Sequence, residues 1–251
     1  MALFKNAHAS HDHSLEVLNL LYGYDSFLDN LKVIADMGCG EGRDSEWWAT
    51  LATRDDPPQP HNYIVYAIDQ TMAQCDHDIL KNNPNIIPIE QNFEEYTIPR
   101  KVDLMWCHDS FQYARNPMAT LAHWKSMINE NGMLVLSIPQ NTYINNSRLT
   151  IENHSHQYFN YNILNLIYML AIAGFDCRDA YFYRKENTPW LYAGVYATQH
   201  ETLPKHATWY DLAERKLISD SLINSVNKYG YARLEDLVVA WFDKDLYQIT
   251  N

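Results

Sequence analysis

Short apolar runs bounded by turn residues recur between residues 32 and 138. Segments 32–37, 63–68, 86–90, 102–107 and 133–138 are mostly apolar without polar alternation. That is the pattern of strands buried on both faces. Between them, 44–52, 72–82 and 117–128 read as helices, and Asp55-Asp56-Pro57-Pro58-Gln59-Pro60 as a loop. Asn131-Gly132 predicts a turn into the fifth strand. Such alternation predicts a parallel sheet with helices on both faces, wound right-handed. A helix over 161–173 is stopped by Gly174. Two more strands follow, 175–183 and 190–198, and their short link predicts an antiparallel edge hairpin. After Pro204, helices are expected over 209–228 and 232–246, with Gly230 between them. Leu212, Leu217, Leu222, Ile223 and Val226 mark the apolar face. Near the start, Asp12 or Ser14 can cap a helix carrying Leu15, Leu18, Leu21 and Tyr22. The expected fold is α/β: a seven-stranded, mostly parallel sheet with an antiparallel edge hairpin plus a C-terminal helical extension. The expected division is an N-terminal helical segment (1–30), a main domain (31–200) and the extension (201–251).

Composition narrows this little. The chain has 251 residues, and a hydrophobic share of 47% suffices for a substantial core. A net charge of -12 disfavours a nucleic-acid partner, because it repels phosphate backbones. The basic residues Lys81, Arg100, Lys101, Arg184 and Lys185 are scattered. Cys39, Cys75, Cys107 and Cys177 form no CxxC pair and read as buried reduced thiols, so a cytoplasmic setting is expected. No apolar window is long enough to predict a membrane span or a signal peptide.

The chemistry-bearing pattern is Asp36-Met37-Gly38-Cys39-Gly40-Glu41-Gly42, directly after the first strand. Glycines there let the chain turn sharply and approach a ligand without a Cβ in the way. The loop opens a helix, whose free N–H groups favour an anionic or polar ligand end. Glycines at every second residue differ from the dinucleotide pattern, which has a longer gap before the third glycine. Asp69, followed by Gln70, ends the second strand, where a carboxylate can accept from ribose hydroxyls or cap the segment starting near Thr71.

Taken with these motifs, the sequence resembles the class I S-adenosylmethionine (SAM)-dependent methyltransferases of the small-molecule branch, which have a Rossmann-like fold. The likeness extends through Gln91-Asn92-Phe93, the fourth-strand stretch 102–109 ending in His108-Asp109, the turn at Asn131-Gly132, His156-Gln157-Tyr158-Phe159 and Ala173-Gly174-Phe175, over roughly residues 30 to 198. The resemblance implies SAM as cofactor. Asp36, Gly38, Cys39 and Gly40 would surround its methionine end, Asp69 with Gln70 its ribose, and Asn92 and Phe93 its adenine. The segment 13–18 and the Trp47-Trp48 pair also resemble methyltransferases of marine bacterial viruses, which would place the protein in a host cytoplasm.

Methyl transfer from a sulfonium is an in-line displacement, so the protein mainly aligns the acceptor and excludes water. His108 is the candidate acceptor contact or base, or it packs against the cofactor without chemistry. His154, His156 and Tyr158 are candidates for the acceptor pocket, or for an exposed linker. Residues 4–18 are a candidate cover over the cofactor, and His8, His11 and His13 lack a metal-binding frame. Adjacent Trp47 and Trp48 cannot share one helix face. The expected partner is a small-molecule acceptor. The alternatives are a non-catalytic SAM-binding protein and a nicotinamide-dependent oxidoreductase.

Overall fold

The computed structural model describes residues 28–53, 57–75, 77–139, 159, 161–184, 190–197, 202–204 and 206–233. Seven strands form one sheet: β1 (Val33–Met37), β2 (Ile64–Asp69), β3 (Ile86–Glu90), β4 (Val102–His108), β5 (Ile128–Pro139), β6 (Phe175–Arg184) and β7 (Trp190–Ala197). Their order is β3-β2-β1-β4-β5-β7-β6. The pairs from β3 to β5 are parallel, whereas β7 pairs antiparallel with both β5 and β6. The predicted α/β sheet with its edge hairpin is therefore present. β1 is buried at every position, as its unbroken apolar run requires.

Helices α1 (Arg43–Thr50), α2 (His77–Asn82), α3 (Pro117–Met127), α4 (Ile163–Ala173), α5 (Trp209–Glu214) and α6 (Asp220–Tyr229) complete the fold. One core face joins Met105, Cys107, Phe111, Trp124, Leu166, Leu170 and Phe175, and it continues through Leu212, Leu222 and Val226 of α5 and α6. The other joins Ile34, Trp48, Tyr63, Val65, Leu104, Trp106, Val135 and Tyr192. Trp48 is fully buried and Trp47 only partly, yet the adjacent indoles meet edge to face with ring centroids 4.8 Å apart, and Trp47 packs against the same core face as Trp48 rather than away from it. Local signals set the helix ends. Asn116 caps α3 by accepting from the Ala119 N–H, with Pro117 in the first turn. Asn162 and Asn165 form a reciprocal capping box on α4, and Gly174 ends it at φ 93°.

Three expected elements come out differently. The helix expected over 72–82 is a 3-10 turn, Met72–Gln74, then α2 from His77, because Cys75 is extended and its thiol donates to the Gly40 carbonyl at 2.9 Å. The helix expected over 209–228 breaks between α5 and α6, where Lys216 has φ 54° and Ile218 bridges to Cys177 of β6. Asn131-Gly132 lies inside β5, not before it. Its pairing with β4 jumps from Val102↔Ile128 to Leu104↔Met133. A Cβ at Gly132 would stand 2.8 Å from the Asp103 carbonyl oxygen, so glycine there permits a close backbone approach. The helices expected near 15–22 and beyond 233 lie outside the described residues.

Candidate active site

Strand order reverses between β1 and β4, and ligands of open α/β sheets bind in the crevice outside the carboxyl ends of such strands. The glycine loop leaves β1 at this point. Gly38 has φ 82°, and a Cβ on it would lie 2.2 Å from Ser110 Oγ. Ser110 donates from that oxygen toward the carbonyls of Gly38 and His108, both at 3.0 Å. Its hydroxyl thus holds the ends of β1 and β4 together. Gly40 differs: φ is 52°, and a Cβ there would meet nothing within 4 Å. The chain leaves open space where a ligand would come closest.

The loop N–H groups are largely engaged. Gly38 and Cys39 both donate to the Ile68 carbonyl, at 2.7 and 3.0 Å, and Gly42 donates to Cys39 at 2.8 Å. Gly40 donates to Asp69 Oδ2 at 3.0 Å, while Asp69 Oδ1 accepts from the Thr71 N–H at 3.2 Å. Asp69 thus faces the glycine loop and holds the backbone of Thr71, while Thr71 itself, rather than Asp69, caps the turn that follows by accepting from the Ala73 N–H. Each oxygen retains a second lone pair for a ligand hydroxyl.

Asp36 is 2% exposed and accepts from Ser45 Oγ at 2.6 Å. Burial first, then the Asp44 charge and more weakly that of Asp69, push its carboxyl up to about 8, against the opposing Ser45 hydrogen bond. Asp44 in the first turn of α1 accepts from Trp106 Nε1 at 2.9 Å and lies 3.8 Å from His108 Nδ1. Arg43, the cation beside the loop, is paired with Glu41 at 2.8 Å. Acidic side chains thus dominate the mouth of the loop.

Cys39 is buried in the same cluster as Cys75. The Phe93 ring comes within 3.9 Å of the position a Gly38 Cβ would take, which puts it beside the loop. Its carbonyl accepts from Trp124 Nε1 at 2.9 Å. Asn92 uses its side chain to accept from the Glu94 N–H, an Asx turn that shapes the segment after β3. Gln70 is exposed at the end of β2. His108 ends β4 in register with Ser137 of β5, which in turn pairs with Tyr192 of β7. Ser137 Oγ is buried with no hydrogen-bond partner among the described residues. Beyond His108, Asp109 holds φ 50° and is braced by fully buried Gln112, whose Nε2 donates to the Asp109 carbonyl and Oδ1 at 2.9 and 2.7 Å.

The structure brings Asp36, Gly38, Cys39, Gly40, Asp69, Phe93 and His108 to one end of the sheet. His154, His156 and Tyr158, the N-terminal histidines and the segment 4–18 lie outside the described residues. Sequence reasoning missed Asp44, Ser45, Ser110 and Ser137. The first two had a signal, since they open the helix that the glycine loop feeds. Ser110 and Ser137 had none, because only the strand order brings them to the site.

A seven-stranded sheet in this order, with a glycine loop after β1 and a carboxylate ending β2, defines a Rossmann-like fold of the methyltransferase type. Residues 35–136 match the family described as "Methyltransferase domain". The match covers the sheet from β1 to β5, the part of the chain that carries the glycine loop and the carboxylate of β2. Among solved structures, the N-methyltransferase NodS of Bradyrhizobium japonicum superposes with a TM-score of 0.54 at 14% identity, over 78% of this chain and 100% of that one. The 1,6-didemethyltoxoflavin-N1-methyltransferase of Burkholderia thailandensis, bound to 1,6-didemethyltoxoflavin and S-adenosylhomocysteine (SAH), gives 0.53 at 13%, over 77% and 92%. A SAM-dependent methyltransferase of Mesorhizobium loti gives 0.52 at 13%, over 66% and 90%. No curated protein matches at the sequence level.

Proposed function

We propose that this protein is an enzyme that transfers the methyl group of SAM to a small-molecule acceptor. The observation that carries this reading is the chemistry of the glycine loop. Its N–H groups at residues 38, 39, 40 and 42 already have carbonyl or carboxylate partners, and Asp36, Asp44 and Asp69 gather around it. A dinucleotide pyrophosphate needs free N–H donors and meets repulsion here. A cationic sulfonium with a ribose diol and an ammonium group suits the same surroundings. This counts against the nicotinamide reading.

On this reading Gly40 supplies the close approach, Asp69 accepts from the ribose hydroxyls, and Asp36 ionises when a cation arrives beside it. Phe93 packs beside the adenine, with Gln70 and Asn92 at the same edge. When bound, SAM supplies the electrophilic methyl group. The chain's own task is alignment: Ser110 fixes the spacing of the β1 and β4 ends, and Asp44 orients His108. His108, with the Ser137 hydroxyl in the neighbouring register, faces the acceptor and takes its proton where the nucleophile must lose one. His156 is a second candidate for the acceptor side. Small-molecule acceptors fit the acidic chain better than a phosphate backbone does, and the Burkholderia thailandensis enzyme holds a small molecule in its structure.

The test is calorimetry with SAH followed by incubation of the protein, methyl-labelled SAM and fractionated cell extract. Binding of SAH and a label in a low-molecular-mass product are expected. SAH binding with no labelled product in any fraction supports the non-catalytic alternative. Absence of heat with SAH, combined with heat on adding NADH, overturns the assignment.

A further inference from the structure

Two of the four cysteines meet at the mouth of the glycine loop. Cys39 sits between Gly38 and Gly40, and Cys75 on the turn that follows Asp69 and Thr71. They are 9% and 6% exposed. Cys39 directly precedes Gly40, whose carbonyl Cys75 touches, and both thiols lie in one buried cluster where each perturbs the other's ionisation. Cys75 Sγ in turn lies 2.9 Å from the Gly40 carbonyl oxygen and 3.1 Å from the Met72 sulfur. Cys107 is on the opposite core face and Cys177 is on β6, so neither joins this contact. All four are free thiols.

We infer that Cys39 and Cys75 are an oxidative cross-linking site, and that their disulfide ties down the glycine loop and closes it to the cofactor. The second half of the inference rests on the cofactor reading above. A covalent S–S bond of about 2.05 Å is far shorter than a hydrogen-bonded sulfur contact. Forming it draws Cys39 toward the 72–75 turn and breaks the Cys75–Gly40 hydrogen bond. Both changes fall on the residues flanking the open space at Gly40. A soft metal ion held by the same sulfurs is the poorer occupant. Two thiolates would place negative charge beside Asp36 and Asp69, whereas a disulfide is neutral.

The chemistry balances with a hydroperoxide as oxidant. Ionised Cys75 attacks the peroxide O–O bond, which gives Cys75 sulfenic acid and hydroxide. The Cys39 sulfur then attacks the Cys75 sulfur. The S–S bond forms, the S–O bond breaks, and the departing hydroxide leaves as water with the Cys39 proton. Two thiols and one hydrogen peroxide become one disulfide and two waters. Burial, followed by nearby Asp36, holds the Cys39 thiol above its ordinary range, and burial raises Cys75 as well. The interaction between the two thiols raises Cys39 and lowers Cys75, so Cys75 is the sulfur that ionises first. Cross-linking is therefore slow at neutral pH and quickens as pH rises.

The experiment treats the reduced full-length protein with hydrogen peroxide between about pH 7 and 9. It then reads intact mass, peptide linkage, hydrogen exchange of residues 38–42 and SAH affinity. Expected are a mass lower by about 2 Da, peptides joined through Cys39 and Cys75, slower exchange in the loop, and SAH binding weaker by roughly tenfold or more. Dithiothreitol should reverse all four. Cys75→Ser must abolish the linked peptide, and Cys107→Ala must retain it. Oxidation to sulfinic acid or to intermolecular dimers without the Cys39–Cys75 link overturns the inference. So does a link that leaves loop exchange and SAH affinity unchanged. Should the reduced protein fail to bind SAH, the functional reading falls, while peptide linkage and loop exchange still decide this one.

Discussion

Gly38 and Gly40 lie two residues apart in one loop, both at positive φ, yet they should fail differently when changed to alanine. At Gly38 the new Cβ falls 2.2 Å from Ser110 Oγ and 2.4 Å from Ser110 Cβ. The left-handed backbone costs an alanine about 1–2 kcal/mol, and overpacking of this kind adds about 1–3 kcal/mol. Gly38→Ala should therefore destabilise the fold by roughly 2–5 kcal/mol. At Gly40 nothing lies within 4 Å, so only the backbone cost of about 1–2 kcal/mol applies. The methyl group there projects into the space reserved for the ligand, so SAH affinity should fall on the order of 100-fold, about 2.7 kcal/mol. Urea denaturation of the two variants and the parent measures the first effect, and calorimetry with SAH the second. A double variant, Gly38→Ala with Ser110→Gly, should recover part of the packing loss, a coupling of about 1–2 kcal/mol. Parental SAH affinity in Gly40→Ala, or a Gly38→Ala protein as stable as Gly40→Ala, would refute the reasoning.

Asp36 makes stability depend on pH. Its carboxyl is raised to about 8 in the folded protein from an ordinary 3.8, chiefly by burial, so the folded chain keeps a proton that the unfolded chain releases in between. Stability should fall as pH rises from about 4 to 8, and Asp36→Asn should flatten that fall; parallel urea-midpoint curves for parent and variant would exclude it. His108→Gln should lower kcat by roughly 10-fold or more while SAH affinity stays within about threefold of the parent; equal turnover by the two proteins removes His108 from the chemistry. Trp124→Phe removes the 2.9 Å donor from the part-buried Phe93 carbonyl and shrinks a fully buried side chain, so a loss of about 1–3 kcal/mol is expected in urea denaturation, and an unchanged midpoint contradicts it.

The sheet was legible because its strands are buried on both faces. An apolar run such as 33–37 has no soluble alternative to the interior, and Gly174 and Asn116 announce helix ends through their own backbone chemistry. The misread elements share one cause, a distant partner that overrides local preference. Cys75 leaves the expected helix to reach Gly40, and Ile218 interrupts another to bridge to Cys177. Gly132 looks like a turn residue but serves a close approach to the Asp103 carbonyl inside β5. The candidate site divides the same way. Asp36, the glycines and Asp69 are adjacent to the strands that position them, so spacing reveals them. Ser110 and Ser137 act across strands that meet only because β4 and β5 follow β1 in the sheet.

A strand, a glycine turn and a helix suit anionic and cationic ligands alike, so the loop sequence by itself leaves the ligand's charge open. The neighbouring strand decides it. Where loop N–H groups point into solvent, the turn is an anion cradle. Here β2 consumes them: the Ile68 carbonyl takes two and the Asp69 carboxylate a third. The same carboxylate then adds its charge to that of Asp44 at the loop, beside an Asp36 carboxyl that burial keeps protonated up to about pH 8. On the cofactor reading proposed above, Asp69 converts a phosphate-binding turn into one that prefers positive charge. Asp69→Asn would keep an acceptor for Gly40 and remove the charge, so affinity for SAM, which carries the sulfonium charge, should weaken more than affinity for SAH, which does not, while the loop stays folded. Unchanged affinity would mean that the ligand's charge is read elsewhere.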